Sequence, residues 1–133
     1  MGSARDRSPS GGPPPQTPTS IGRDAERTAR AYLESCGYSV LETNFCCRGG
    51  ELDLVCEDGE VLSFVEVRSR ADERFGSPLE TIDRRKRTRI VRAARAFLRA
   101  RGIGRRAMRF DVVAIVGGQV VALVRDAFRV DDW

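Results

Sequence analysis

Residues 51–57 and 60–68 alternate polar and apolar side chains on either side of Asp58-Gly59. Alternation with period two marks strands, and an Asp-Gly step between two such runs is a strong short-range signal for a hairpin. Symmetric reversal about that step pairs Glu57 with Glu60, Asp53 with Phe64 and Glu51 with Glu66. One face then holds Glu51, Asp53 and Val55 with Leu62, Phe64, Glu66 and Arg68. The other holds Leu52, Leu54 and Cys56 with Val61, Ser63, Val65 and Val67. It is nearly all apolar and is the expected core face.

The acids on the first face set the problem. In this register Asp53 and Glu66 are diagonal neighbours, roughly 7 Å apart between backbones, and Glu51 lies across from Glu66. Like charges opposed on a sheet are unfavourable unless something positive lies between them. A divalent cation held by two or three carboxylates resolves the conflict, and magnesium suits because it takes oxygen ligands and keeps several waters. The alternative is an exposed hairpin face with scattered charges, on which Arg68 relieves part of the repulsion.

Flanking segments complete an order α-β-β-β-α-β-β. A helix is expected from about Gly22 to Cys36, with Ala25, Ala29, Tyr32, Leu33 and Cys36 as its apolar stripe and Gly37 as its stop. Glu26 borders that stripe, where a carboxylate needs a partner. A strand follows over Tyr38–Cys46, then a turn at Arg48-Gly49-Gly50 and the hairpin. Ala71–Pro78 reads as a loop in which Phe75 and Gly76 border the hairpin. A long helix runs from about Asp83 to Arg101, with Asp83 as N-cap and Gly102 as stop. Met108–Val116 and Gln119–Val124 are two more strands, joined by Gly117-Gly118. Such an order gives a central sheet with helices packed on it. Asp111, between Phe110 and Val112, reads as a buried acid paired with an arginine.

The long helix carries Arg84, Arg85, Lys86, Arg87, Arg89, Arg92, Arg95, Arg99 and Arg101, with no acid after Asp83. Ile90, Val91, Ala94, Phe97 and Leu98 dock it on the sheet. Basic side chains repel along a helix when no acids are interleaved, and a phosphate backbone relieves that repulsion by counterion release. The plainer reading is a solvated face whose acids lie elsewhere in the fold. Few aromatics are present, so stacking on single strands has little support, and shape-based recognition of a duplex or branched nucleic acid fits better.

The chain has 133 residues and a net charge of +4. That length suits one domain. Residues 1–20 are rich in Pro, Gly and Ser and read as a disordered tail, leaving residues 21–133 for the folded domain. Of 23 Lys plus Arg, only Lys86 is lysine, an arginine bias of the kind a GC-rich genome produces. Four cysteines without a C-x-x-C pair, and no histidine, argue against structural zinc. The cysteines read as small buried apolar residues. No stretch reads as a signal peptide or a membrane span, so a cytoplasmic, membrane-free setting with reduced thiols is expected.

Gly50-Glu51-Leu52-Asp53-Leu54-Val55, a hairpin turn, then Phe64-Val65-Glu66-Val67-Arg68-Ser69-Arg70 resembles the core of the PD-(D/E)XK nuclease superfamily. The fuller set of Gly22–Leu33, the GGELDLV segment, FVEVRSR, Phe75-Gly76, Lys86 and Arg109–Val113 resembles the YraN-like family of uncharacterised bacterial proteins. These are similar in fold to archaeal Holliday junction resolvases. The resemblance covers about residues 21–128. It implies a restriction-endonuclease-like α/β fold with a mixed five-stranded sheet, and a metal-dependent endonuclease acting on DNA, including branched DNA. It implies Asp53 and Glu66 as catalytic metal ligands for Mg2+ or Mn2+, joined by the Val67 carbonyl and by Glu26 on the first helix. Arg68 stands where the superfamily has a lysine. Arginine holds phosphate well but stays protonated and cannot act as a base. Either the site tolerates it, or the chain binds nucleic acid without turnover, or Lys86 supplies the ammonium. For Lys86, an ordinary exposed cation is the plainer alternative. Arg84, Arg85, Lys86, Arg89, Arg92 and Arg70 are the expected nucleic-acid contacts. Relatives among the resolvases imply a homodimer, although nothing in the sequence identifies its surface. A third reading makes the charges serve a protein complex.

Overall fold

The structure is a computed structural model that describes residues 18–72 and 82–130, residues 18–22 through their backbone. Residues 1–17 of the expected tail, Phe75, Gly76 and Trp133 lie outside the described residues. The elements are α1 (Pro18–Ser35), β1 (Ser39–Cys47), β2 (Gly50–Asp58), β3 (Val61–Arg70), α2 (Arg84–Arg101), β4 (Met108–Val116) and β5 (Gln119–Phe128). The five strands form one sheet in the order β1-β2-β3-β4-β5. Every neighbouring pair is antiparallel except β3 and β4, which run parallel and are linked through α2. The expected α/β class, element order and mixed five-stranded sheet are therefore found. No described helix is long and apolar enough to cross a membrane.

The helices begin and end where local chemistry dictates. α1 starts at Pro18, four residues before the expected Gly22; proline is tolerated in a first turn because its missing N–H has no intrahelical partner there. Gly37 then reverses the chain with φ +95°, so that the Tyr38 N–H donates to the Leu33 carbonyl at 3.0 Å. In α2 the Asp83 side chain accepts from the Lys86 N–H at 2.8 Å, and Gly102 closes the helix in the left-handed region.

Each face of the sheet is covered by a helix. On one side, Ala25, Ala29 and Leu33 of α1 bury Leu54, Cys56, Val65, Val113 and Ile115. On the other, Ile90, Ala93, Ala94 and Phe97 of α2 bury Leu52, Val55, Leu62, Phe64, Phe110 and Val112. Each large side chain buried this way contributes about 1.5–3 kcal/mol. The Phe97 ring adds edge contacts to Phe45 and Phe64, with centroids 5.3 Å and 6.2 Å away. One alternative is set aside and one expectation corrected here. The acid-bearing face of the hairpin is not solvated, because Val55, Leu62 and Phe64 lie fully under α2. Of the cysteines only Cys56 is buried, while Cys36 and Cys46 are exposed. α1 ends at Ser35, and Cys36 falls in the turn beyond it.

Asp111 is a buried acid satisfied on all sides, as expected. Its Oδ1 accepts from Arg109 Nε at 2.7 Å and from the Asp126 N–H at 3.0 Å. Its Oδ2 accepts from Tyr38 at 2.8 Å, Ser63 at 2.6 Å and Arg109 at 2.8 Å. Burial alone would push this carboxyl up; the five donors outweigh it and hold the group below the usual carboxylate range.

Candidate functional site

The hairpin turn falls on Gly59-Glu60, one residue later than expected, with Gly59 at φ +62°. Asp58 pairs with Val61 and Val55 pairs with Phe64. The sequence register, which set Asp53 against Phe64, is therefore wrong by two residues. A slip of two preserves the faces, but it moves Asp53 from a diagonal position to one level with Glu66.

At that level the sheet parts. The β2–β3 ladder runs from Asp58–Val61 to Leu54–Val65. Beyond it β2 continues against β1 as far as Cys47–Gly50, and β3 continues against β4 as far as Arg70–Val116. Asn44 of β1, opposite Asp53, takes a positive φ of 53°. Side-chain alternation breaks there: Leu54 packs with α1, whereas Leu52 packs with Phe45 beneath α2. Asp53 sits at the break and its Oδ2 accepts from the Val67 N–H at 2.8 Å. A side chain thus occupies the place of the next ladder rung.

Three charged groups converge on this opening. Asp53 and Glu66 share a hydrogen bond, and burial together with the Glu66 charge pushes the Asp53 carboxyl well above the usual carboxylate range. The Val67 amide and Lys86 offset this only in part. Lys86 Nζ, from the first turn of α2, lies 3.2 Å from Glu66 Oε2. The Glu66 side chain is 11% exposed and that of Lys86 49%, so one end of the pair is enclosed and the other meets solvent. Glu26 of α1 is half-buried and hydrogen-bonded to Asn44; burial first, then the charges of Asp53 and Glu51, raise its pKa. Asn44 was not singled out from the sequence; its tolerance of the left-handed region was the available signal.

Among the described residues no three His, Cys, Asp or Glu side chains form a ready metal cage. The structure assembles a pair, Asp53 with Glu66, and holds Glu26 within electrostatic reach of it. The donor chemistry fits a hard divalent cation: two oxygen ligands that cannot both ionise cheaply so close together, with a partly open side for water. Val67 belongs to the same opening. Arg68 and Arg70 follow Glu66 at strand spacing and share its face, both half-buried.

The position of Lys86 depends on a close approach. A Cβ on Gly50 would lie 2.2 Å from the Arg89 carbonyl oxygen and 3.2 Å from the Ala93 Cβ. The turn at Arg48-Gly49-Gly50 is therefore what lets α2 descend onto β2, with Arg92 lying over Gly49. Arg84, Arg85, Lys86, Arg89 and Arg92 are all exposed. Lys86 and Arg89 lie on the flank of α2 nearest the acids.

The sequence model of the uncharacterised protein family UPF0102 matches residues 25–115. The chain is 47% identical over 110 residues to a UPF0102 protein of Anaeromyxobacter sp., covering 80% of this chain and 83% of that one. It is 44% identical over 141 aligned positions to one of Burkholderia pseudomallei, covering 97% and 96%. It is 50% identical over 119 residues to one of Halorhodospira halophila, covering 86% and 95%.

Proposed function

The chain belongs to the uncharacterised protein family UPF0102, and we propose that it is a metal-dependent endonuclease hydrolysing phosphodiester bonds in DNA, branched DNA included. One observation carries this reading. Asp53 and Glu66 face each other where the sheet parts, with the Lys86 ammonium 3.2 Å from Glu66. Two carboxylates and a cation where two strands part are expensive to hold together, and such groupings concentrate at functional sites.

Asp53 and Glu66 would hold the metal, with the Val67 carbonyl and Glu26 as further oxygen donors. A bound Mg2+ or Mn2+ supplies Lewis-acid polarisation of the phosphoryl oxygen and a more acidic water nucleophile. The chain's own residues do the rest. The Val67 N–H fixes the Asp53 carboxylate through Oδ2, so its orientation is set before a ligand arrives. Lys86 balances Glu66 and, on the open side, would meet a scissile phosphate. Arg68 would hold developing negative charge without serving as a base. Arg70, Arg85 and Arg89 would hold the flanking backbone, a salt-sensitive, sequence-independent contact, while Arg84 and Arg92 line the other flank of α2. Glu26, with its raised pKa, would hold a water or a second ion.

Purified protein incubated with branched, linear and single-stranded DNA and Mg2+ or Mn2+ tests this. Cleavage that disappears in Asp53→Asn and Glu66→Gln is the expected result. No cleavage of any substrate with either metal removes the enzymatic reading. A second reading, a nuclease-like fold that binds nucleic acid without turnover, is favoured by the incomplete metal cage and by Arg68. It gains if binding survives in both variants and no cleavage is found.

A further inference from the structure

The flank of α2 turned away from the acid pair carries a second basic feature. A groove of about 370 Å³ runs between α2 and the end of β5. Its walls are Arg84, Arg87, Arg92, Arg95, Arg99 and Arg129, and no acid among the described residues lines it. Val91, Phe128 and Val130 are its apolar residues. The groove continues past Arg95 and Arg99 into a further hollow of about 400 Å³ that Arg105 and Arg106 also line.

Several of these arginines are held in place. Arg87 Nε donates to the Ile82 carbonyl at 2.9 Å, and its guanidinium lies 5.5 Å over the Phe128 ring. Arg129 pairs with Asp126 at 2.8 Å on the rim. Arg84, Arg92 and Arg99 have no acid within ion-pair distance among the described residues. Arg84, Arg92 and Arg99, crowded on one flank of the helix, repel one another and favour a polyanion that displaces their counterions. From Arg84 to Arg99 the helix advances about 22 Å at 1.5 Å per residue. That is the length of about six to seven base-pair steps at 3.4 Å per strand step. A compact anion could meet only part of such a row, whereas a repeating phosphate backbone matches its length.

We propose that this groove is a second nucleic-acid site, taking the backbone of a duplex segment other than the one at the acid pair. α2 then lies between two backbones, one on the Lys86–Arg89 flank and one on the Arg84–Arg99 flank. The proposal shares with the hydrolytic reading only its ligand class and requires no turnover.

Fluorescence anisotropy of the full chain with a four-way branched DNA, in EDTA and across about 50–200 mM salt, tests it. Arg84→Ala with Arg99→Ala removes two backbone contacts and should make the log–log salt dependence shallower by about 1.8. Thr88→Glu sets a carboxylate in the groove on a helix position that accepts Glu readily. It should weaken binding several-fold, with the circular dichroism spectrum unchanged. An unchanged salt slope in the double variant, no effect of Thr88→Glu, or no DNA binding at low salt would each overturn the proposal. So would equal competition by polyglutamate at matched charge, which marks an unselective cationic surface. The hydrolytic reading fails separately, when DNA is bound with a groove-dependent slope but no metal brings cleavage.

Discussion

The Asp53 carboxylate takes the place of a β-rung by accepting the Val67 N–H at 2.8 Å. This contact explains how an acid comes to lie inside a sheet beside a second acid. The amide that ladder pairing would have satisfied is satisfied by the side chain, and the strands are free to part. The opening is built into the sheet, so the acids are fixed before any ligand arrives.

Fixing them costs stability. Burial and the neighbouring Glu66 both oppose ionisation of Asp53. Asp53→Asn keeps an acceptor for the Val67 N–H and removes the charge. In EDTA at about pH 8 it should raise stability by about 1–3 kcal/mol, measured by urea denaturation. Mn2+ should raise the Tm of the wild type and not of the variant. Because the metal displaces a proton from the pair, the wild-type shift should grow from pH 6 to pH 8. A variant less stable than wild type in EDTA would mean that the carboxylate is there for the fold.

Gly50 sets the height of α2 above the sheet. A methyl group at this position meets the Arg89 carbonyl oxygen at 2.2 Å, and backbone cannot move aside as a side chain can. Gly50→Ala should lower stability by about 1–3 kcal/mol or more and draw Lys86 away from Glu66. Thermal denaturation measures the first effect and cleavage rate the second. A neutral Gly50→Ala would show that α2 does not need this approach.

Asp111 predicts acid sensitivity. Its pKa in the folded chain lies below the ordinary value. Its contribution is therefore fully present above about pH 4 and is lost as pH falls through the folded value. Asp111→Asn should cost about 3–5 kcal/mol at neutral pH, because Arg109 loses a buried partner. The gap between wild type and variant should narrow as pH falls below about pH 4. Denaturant midpoints across that range measure it, and a constant gap would rule out the linkage.

The sequence carried the elements, the helix caps and the residues of the acid pair, because each is written in local periodicity or in one residue's chemistry. Asp83 and Gly102 bound α2 for reasons legible in four-residue windows. The register of the hairpin was not legible. A turn on Gly59-Glu60 and one on Asp58-Gly59 put the same residues on the same faces, so the alternation cannot separate them. Nor could the covering of both sheet faces be read from the hairpin, since an apolar face and a mixed face look alike whether the mixed one meets water or a helix. Lys86 reaching Glu66 is a contact across 20 residues of chain, set by the depth at which α2 docks. Only the glycine at position 50 hinted at that depth.

Lys86 and Arg68 divide the question of which cation the site uses. Lys86 Nζ is already 3.2 Å from Glu66 Oε2, whereas Arg68 follows Glu66 along the strand. If Lys86 acts on the phosphate, Lys86→Ala should cut cleavage by about 10²–10³ while costing under about 1 kcal/mol of stability, since its side chain is half exposed. Arg68→Lys should then change the rate little. If Arg68 is a defect in the site, Arg68→Lys should instead raise cleavage and Lys86→Ala should leave it near wild type. Single-turnover cleavage of one branched substrate by the two variants separates these outcomes. A loss in both variants would show that the two cations act together, Lys86 balancing the acid and Arg68 the phosphate.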